Sequence, residues 1–200
     1  MNCPEESPME ILLIRHGQTP GNKLGRYIGV TDESLSPEGI AAAEAKSVPA
    51  ADKWIASPMK RCRETAHILS GTDAEVCEGL RECDFGIFEN KNYKELSNVP
   101  EYQQWIDSGG TMKFPEGEDP AAFRERSCRA FLDILELAQH EKVERLALVV
   151  HGGTIMSIME AYGRDEAGEK RSYFDWQVKN LEGFRTELTE EDCLQVIEKI

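Results

Sequence analysis

The sequence predicts an α/β fold, a three-layer α/β/α sandwich with a mostly parallel central sheet. Two short, wholly apolar runs at 11–14 and 146–150 are typical of central strands buried on both faces. Segments with helix start and stop signals alternate with strand-like segments along all 200 residues. A chain of this length fits one domain, so we expect residues 1–200 to form a single domain.

The predicted strands are short and either wholly apolar or alternating. In chain order they are Ile11–Ile14, Lys53–Ala56, Leu146–Val150, and the pair Tyr173–Lys179 and Phe184–Leu188, which we expect to bond to each other. Residues 1–8 precede the first strand, and their acidic, proline-bearing composition predicts a loosely held tail.

The predicted helices begin where a capping residue precedes proline, or end at glycine, because these residues suit the free backbone groups at helix ends. In chain order they are Ile40–Lys46 after Ser36-Pro37, a helix from Ser57-Pro58 to the residue before Gly71, one or two short helices in Tyr93–Asp107 ending near Gly109-Gly110, a helix from Asp119-Pro120 to about His140, and a helix from Thr154 to Gly163.

Composition excludes several functional classes. The 23 Lys and Arg residues against 37 Asp and Glu give a net charge of −14, which argues against nucleic-acid binding and attraction to an anionic membrane. The N-terminal segment lacks the pattern of a signal peptide, and the apolar runs are well short of the roughly 20 residues of a membrane helix. The six cysteines form no C-x-x-C pair, so we expect no zinc ribbon and a cytoplasmic protein with reduced thiols.

The two most apolar strands end in similar motifs, Arg15-His16-Gly17 and His151-Gly152-Gly153. Ligands of open α/β sheets bind beyond the carboxyl ends of the strands, where both histidines fall. An arginine beside a buried strand is costly unless it faces an anion, and glycines let backbone N–H groups approach one closely. The second motif also opens a helix, whose N-terminus favours negative charge. Either histidine alone could be structural, but together the motifs predict a phosphate site.

Blocks in a constant order across residues 11–188 resemble the histidine phosphatase superfamily, in its phosphoglycerate-mutase-like branch. The blocks lie at 11–19 with Asn22, 25–29 with Asp32, 35–39, 57–66, 80–86, 115–118 and 149–153. The pattern is similar to that of α-ribazole 5′-phosphate phosphatases of cobalamin biosynthesis and of broad-specificity relatives. Departures from the family pattern fall around the substrate loops, at Pro58, Phe88, Asn90 and Asp119. Trp105 and Phe114 could be core residues, although we favour a place at the substrate mouth.

The resemblance implies a catalytic role for five residues. His16 matches the nucleophile that takes the phosphoryl group on a ring nitrogen, and Arg15 and Arg61 match the two arginines that clamp the phosphate. Glu82 matches the carboxyl group that protonates the leaving oxygen, and His151 matches the second histidine, which contacts the phosphoryl oxygens. Phosphoryl transfer depends mainly on positioning and on neutralising the oxygens, which two guanidinium groups do well.

Three further residues are predicted to bind the phosphate. Asn22 matches a family residue at the phosphate site, while Gly17 and Gly152 are expected to bring backbone N–H groups to it. For the chemistry to work, His16 must be neutral, with its other ring nitrogen donating to a carbonyl or carboxylate. Glu82 must be protonated, and partial burial beside a phosphate dianion would raise its pKa.

The resemblance implies a metal-independent phosphatase with no cofactor, acting on a small phosphorylated metabolite through a phosphohistidine. A 2,3-bisphosphoglycerate-dependent phosphoglycerate mutase is the first alternative, although little chain separates Glu82 from the block at 115–118. A catalytically inactive regulator that binds phosphorylated ligands is the second, and the complete set of catalytic residues argues against it. Neither a nucleic acid nor a membrane is expected as partner, and a homodimer is left open.

Overall fold

The structure, a computed structural model, describes residues 8–200 and arranges them around one mixed sheet. The seven strands of this described part are β1 (Glu10–Arg15), β2 (Lys53–Ala56), β3 (Glu75–Val76), β4 (Arg145–Val150), β5 (Gly163–Arg164), β6 (Gly183–Leu188) and β7 (Leu194–Lys199). Their order across the sheet is β3-β2-β4-β1-β6-β7-β5. Neighbours from β3 to β1 are parallel, whereas β6 is antiparallel to both β1 and β7.

Helices cover both faces of the sheet. They are α1 (Pro20–Lys23), α2 (Pro37–Ala45), α3 (Lys60–Ser70), α4 (Tyr93–Leu96), α5 (Pro100–Asp107), α6 (Pro120–His140) and α7 (Gly152–Tyr162), with 3-10 turns at Glu78–Leu80, Gly86–Phe88 and Tyr173–Trp176. Ser36 and Asp119 cap α2 and α6 through their side chains, as their sequence signals predict. Gly71 ends α3 in the left-handed conformation expected of a C-terminal glycine.

Strand β1 divides the core into two layers. Ile11 and Leu13 pack in a cluster with residues of α6 and α7, whereas Leu12 and Ile14 pack in a cluster with residues of α3. All four side chains are fully buried, and each such burial contributes roughly 1.5–3 kcal/mol. The wholly apolar strand therefore reflects helices on both faces, and the predicted three-layer sandwich is confirmed.

A third cluster is aromatic and adjoins the start of α7. Its buried rings include Phe88, Phe114 and Phe123, with Trp105 packed against them. A Cβ added at Gly153 would lie 3.1 Å from the Phe123 ring, which places this cluster beside the helix terminus. The cluster forms one wall next to the carboxyl ends of β1 and β4.

Two predicted helix starts are wrong. Helix α3 begins at Lys60 with Met59 as its N-cap, because Ser57 Oγ lies 2.7 Å from Nε2 of His151 and does not cap the helix. Helix α7 begins at Gly152, two residues before the predicted Thr154, since His151 already occupies the N-cap position.

The predicted strand over Tyr173–Lys179 is also wrong. Ser172 and Asp175 form a capping box that opens a 3-10 turn over Tyr173–Trp176. The predicted strand Phe184–Leu188 is present within β6, but it pairs with β1 and with β7, a strand that was not predicted.

Two other expectations concern the ends of the chain and membranes. Residues 1–7 of the predicted tail, including Cys3, lie outside the described residues. Within residues 8–200, the helices lack the combination of length and apolar sequence that crossing a membrane requires.

Candidate active site

His16 follows β1 at the carboxyl edge of the sheet and is almost fully buried. Its backbone N–H donates to the carbonyl of Val150, at the end of the neighbouring β4, over 3.0 Å. Its ring Nδ1 lies 2.7 Å from the carbonyl oxygen of Gly17. A carbonyl only accepts, so Nδ1 carries the proton and Nε2 keeps its lone pair. The expected carbonyl partner for the second ring nitrogen is therefore present.

Thr65 of α3 holds the loop that follows His16. The backbone N–H of Gly17 donates to Thr65 Oγ1 over 2.9 Å, and the same hydroxyl donates to the carbonyl of Arg61 over 2.6 Å. The sequence predicts that the Gly17 N–H binds the phosphate. In the structure this N–H is already occupied by its bond to Thr65.

His151 follows β4, is the N-cap residue of α7, and is fully buried. Its ring centroid lies 5.3 Å from that of His16, nearly edge to face. Its Nε2 is 2.7 Å from Ser57 Oγ and 3.5 Å from Cys62 Sγ. The parallel pairing of β1 and β4 thus brings together two histidines that are far apart in sequence.

Arg61 lies in the first turn of α3 and is fully buried, whereas Arg63 is exposed. The Nη1 of Arg61 donates to the carbonyl of Thr31 over 2.8 Å, and its Nη2 donates to the carbonyls of Ile28 and Gly29 over 3.2 and 2.9 Å. These acceptors are neutral, so the positive charge of the guanidinium remains uncompensated by them.

Glu89 holds the loop that supplies these carbonyls. Its Oε1 accepts the backbone N–H groups of Gly29 and Val30 over 2.9 and 3.0 Å, and its Oε2 accepts the Thr31 hydroxyl over 2.7 Å. One carboxylate therefore fixes the backbone around the Arg61 guanidinium. Sequence reasoning assigned no role to Glu89.

Arg15 is half-buried and packs against the start of α7. Its Nη1 donates to the carbonyl of Val178 over 2.7 Å, and its Cζ lies 3.6 Å from the position of a Cβ added at Gly152. In the part of the chain that the structure describes, Nε of Arg15 and Nε of Arg61 are buried and have no acceptor. The site therefore contains two buried guanidinium donors suited to an anion.

Glu82 lies against the N-terminus of α7. Its Oε1 accepts the backbone N–H of Cys83 over 2.9 Å and is 2.9 Å from the position of a Cβ added at Gly153. Glu82 and Gly153 also line a cavity of about 400 Å³ whose other walls are largely aromatic, with Trp105 and Phe114 among them. Both aromatic residues thus line this cavity, and both also belong to the aromatic cluster, Phe114 as a buried member and Trp105 packed against it.

Burial moves the pKa values of the three titratable groups in opposite directions. It lowers the pKa of His16 and of His151 well below the usual value, and the positive charges of Arg61 and Arg15 lower both further. It raises the pKa of Glu82, even though the Cys83 N–H and the two arginines act the other way. Both imidazoles are therefore neutral at pH 7, and the carboxyl group is biased towards its protonated form.

The structure brings most of the predicted site residues to one edge of the sheet. These are Arg15, His16, Gly17, Arg61, Glu82, His151 and Gly152. Asn22 is linked to them less directly, because its Oδ1 accepts from Asn180 Nδ2 over 3.1 Å and from the Thr19 N–H over 3.3 Å. Among residues 8–200, no cluster of three or more His, Cys, Asp or Glu side chains is arranged to hold a metal ion.

Asn180 is a site residue that sequence reasoning missed. Its Nδ2 lies 3.0 Å from the carbonyl of His16 and 3.3 Å from that of Gly17, so it braces the backbone on which the His16 ring depends. The residue belongs to the turn before β6, where no local motif marks it. Only the antiparallel pairing of β6 with β1 brings this turn to the site.

Known proteins share this sequence pattern and architecture. Residues 11–192 match the family model described as the histidine phosphatase superfamily (branch 1). A metal-independent phosphoserine phosphatase of Arabidopsis thaliana is 30% identical over 165 residues, which cover 77% of this chain and 68% of the relative.

Two solved structures are similar over nearly the whole chain. A phosphoglycerate mutase from Thermus thermophilus has a TM-score of 0.72 and 28% identity, over 96% of this chain and 98% of its own. The α-ribazole phosphatase from Shigella flexneri has a TM-score of 0.76 over 94% of this chain and 95% of its own. At 22% identity, the second likeness bears on the fold alone.

Proposed function

The chain belongs to the histidine phosphatase superfamily, and from that premise we propose that it hydrolyses a small-molecule phosphate monoester through a phosphohistidine on His16, without a metal ion. The observation that carries the proposal is the hydrogen bond that fixes the protonation of the His16 ring. Its Nδ1–H is held by the Gly17 carbonyl, so the unprotonated Nε2 is the nucleophile, and the positive charges of Arg61 and Arg15 act on the same ring.

In the first step, Nε2 of His16 attacks phosphorus and forms the N–P bond while the P–O bond to the alcohol breaks. Arg15 and Arg61 neutralise the phosphoryl oxygens, and their buried Nε–H groups supply donors that the protein leaves without acceptors among residues 8–200. His151, neutral and 5.3 Å from the His16 ring, is placed to contact the same oxygens. The Gly152 N–H, at the start of α7, is a further donor.

Glu82 donates a proton in the first step and accepts one in the second. In its protonated form it gives the proton to the leaving oxygen, so the product is the neutral alcohol. In the second step its carboxylate takes a proton from a water molecule, which attacks phosphorus as the N–P bond breaks. The electron pair returns to Nε2, inorganic phosphate leaves, and Glu82 is protonated again.

The phosphoenzyme tests this proposal. Brief incubation with a ³²P-labelled phosphate ester should give an acid-labile, base-stable phosphoprotein, and His16→Ala should lose both the label and at least about a thousandfold in kcat/KM. His67→Ala is the matched control, because His67 is an exposed histidine on α3 that pairs with Asp73. Hydrolysis by His16→Ala at the wild-type rate would refute the assignment.

The mutase alternative draws support from the likeness to the Thermus thermophilus phosphoglycerate mutase. Isomerisation of monophosphoglycerate, measured with and without a bisphosphoglycerate primer, separates the two activities. Primer-dependent isomerisation faster than hydrolysis would favour the mutase. Turnover of 4-nitrophenyl phosphate would exclude the alternative that the protein is an inactive regulator that binds phosphorylated ligands.

The physiological substrate is a separate question. α-Ribazole 5′-phosphate is our first candidate, because the motif pattern is similar to that of enzymes acting on it in cobalamin biosynthesis. A panel of this ester, phosphoglycerates, phosphoserine and sugar phosphates would rank the substrates by kcat/KM. We also propose a cytoplasmic location, which supplies such metabolites.

A further inference from the structure

The cavity beside Glu82 has a composition that bears on what the enzyme binds. Helix α5 contributes Trp105 and Ile106 to its walls, and the 3-10 turn at Tyr173–Trp176 contributes Tyr173 and Phe174. Trp105 also stacks on Phe114, another wall residue, with ring centroids 5.2 Å apart. Rigid rings from separate elements thus form a largely apolar chamber next to the proposed acid.

Positive charge in this chamber is already paired. Within residues 8–200, Arg124 is the only cationic residue that lines it. The Arg124 Nη1 lies 3.0 Å from a Glu160 carboxylate oxygen, and its guanidinium sits 3.9 Å above the Tyr173 ring. A second anionic group on a substrate would therefore find no uncommitted cation in the described walls, and its desolvation would go uncompensated.

The rim of the chamber leaves apolar surface in water. Phe174 is 68% exposed and Ile106 is 45% exposed, and both line the same opening. Covering such surface is favourable, because apolar area is removed from water. An apolar group on the substrate, lying between these side chains, would bury the surface on both partners.

We propose that the cavity selects phosphate monoesters whose alcohol carries an aromatic or similarly bulky apolar group, and disfavours small alcohols that carry a carboxylate, such as phosphoglycerate and phosphoserine. The inference rests on the proposed function, because it assigns the phosphoryl group to His16 and the alcohol to the cavity beside Glu82. Trp105 and Phe174 are the specificity-determining residues of this assignment.

A matched pair of esters tests selection without a leaving-group effect. 2-Phenylethyl phosphate and ethyl phosphate release alcohols of similar acidity, so a difference between them reports binding of the ring. We expect kcat/KM at least about tenfold higher for the phenylethyl ester than for ethyl phosphate or phosphoserine. 4-Nitrophenyl phosphate serves as the general measure of phosphatase activity.

Variants assign the preference to the cavity. Trp105→Ala and Phe174→Ala should each lower the ratio of the phenylethyl to the ethyl rate constant by roughly fivefold or more. Tyr93→Ala is the matched control, since Tyr93 is a 64% exposed aromatic residue that lies outside this cavity. Its ratio should equal that of the wild type.

The outcomes separate this inference from the proposed function. If phosphoserine or ethyl phosphate is hydrolysed as efficiently as the phenylethyl ester, the inference is wrong and the phosphatase assignment stands. A wild-type preference that survives in both cavity variants also overturns it. If none of the esters, 4-nitrophenyl phosphate included, is hydrolysed, the proposed function itself fails.

Discussion

At the scale of single residues, burial prepares both the proposed nucleophile and the proposed acid. Taking His16 out of water disfavours its charged form, and the adjacent arginines disfavour it further, so the imidazole stays neutral. The same low polarity disfavours the Glu82 carboxylate and raises the pKa of that group. An attacking base and a proton donor can therefore coexist near neutral pH.

We expect kcat/KM for 2-phenylethyl phosphate to rise with pH through the low pKa of His16, below 6.5, and to fall as the pH passes the raised pKa of Glu82. Glu82→Gln should remove the alkaline limb and lower kcat/KM about a hundredfold or more. The loss should be smaller with 4-nitrophenyl phosphate, whose leaving group needs little protonation. The profiles must be corrected for ionisation of the ester near pH 6.

An alkaline limb that persists unchanged in Glu82→Gln would contradict the assignment. The limb would then belong to another group, and Glu82 would not be the acid.

At the scale of elements, the first turn of α7 contains two adjacent glycines, Gly152 and Gly153, that differ in how much space surrounds them. A Cβ at Gly153 would lie 2.9 Å from Glu82 Oε1 and 3.1 Å from the Phe123 ring, whereas a Cβ at Gly152 has its nearest neighbour at 3.6 Å. Gly153→Ala should therefore displace the acid and lower kcat/KM for 2-phenylethyl phosphate about tenfold or more. Gly152→Ala should cost much less. Equal losses in steady-state assays would refute this account.

The loop over residues 28–31 links Glu89 to Arg61. Glu89→Gln replaces one of two accepting oxygens with an NH₂ group, which cannot accept the N–H and O–H groups of the loop. We expect the Arg61 carbonyl partners to shift, so inhibition by inorganic phosphate should weaken about fivefold to tenfold. Glu95→Gln, at an exposed ion pair with Arg26, should leave phosphate inhibition unchanged.

A purely structural role for Glu89 predicts a different result. It would lower the melting temperature of Glu89→Gln and leave the phosphate inhibition constant of the folded enzyme as in the wild type.

The elements that could be predicted are those whose signals are local. Ser36, Asp119 and Gly71 mark helix ends through their own backbone and side-chain bonds. Ser57 carries a similar signal, but a long-range partner, His151, takes its hydroxyl. In Tyr173–Lys179 the alternating pattern favoured a strand, although the spacing of Ser172 and Asp175 already matched a capping box.

At the scale of the whole molecule, charge opposes the proposed substrate. The net charge of −14 repels a phosphate dianion at long range, while the attracting arginines are local to the site, with Arg61 fully buried and Arg15 half-buried. Raising the ionic strength from about 10 to 150 mM should screen the repulsion, so kcat/KM for an alkyl phosphate should rise by up to about twofold. A marked fall with salt would instead indicate electrostatic steering.

The residues of the site could be predicted only where a local sequence motif marks them. Arg15 ends one apolar strand, and His16 and His151 each follow one, so both their motifs and their meeting at one edge of the sheet are visible in the sequence. Thr65 and Asn180 brace the same loop from α3 and from the turn before β6. Their roles depend on packing and on strand pairing, which pattern and spacing do not encode.

The position of Cys62 provides an internal reporter of unfolding. Its side chain has no exposed surface, and burial raises the pKa of the thiol to about 12. A thiol reagent therefore meets neither an accessible sulfur nor a thiolate while α3 stays packed on the sheet. The labelling rate of Cys62, read by peptide mass spectrometry, therefore measures how fast the layer that holds Arg61 in place opens.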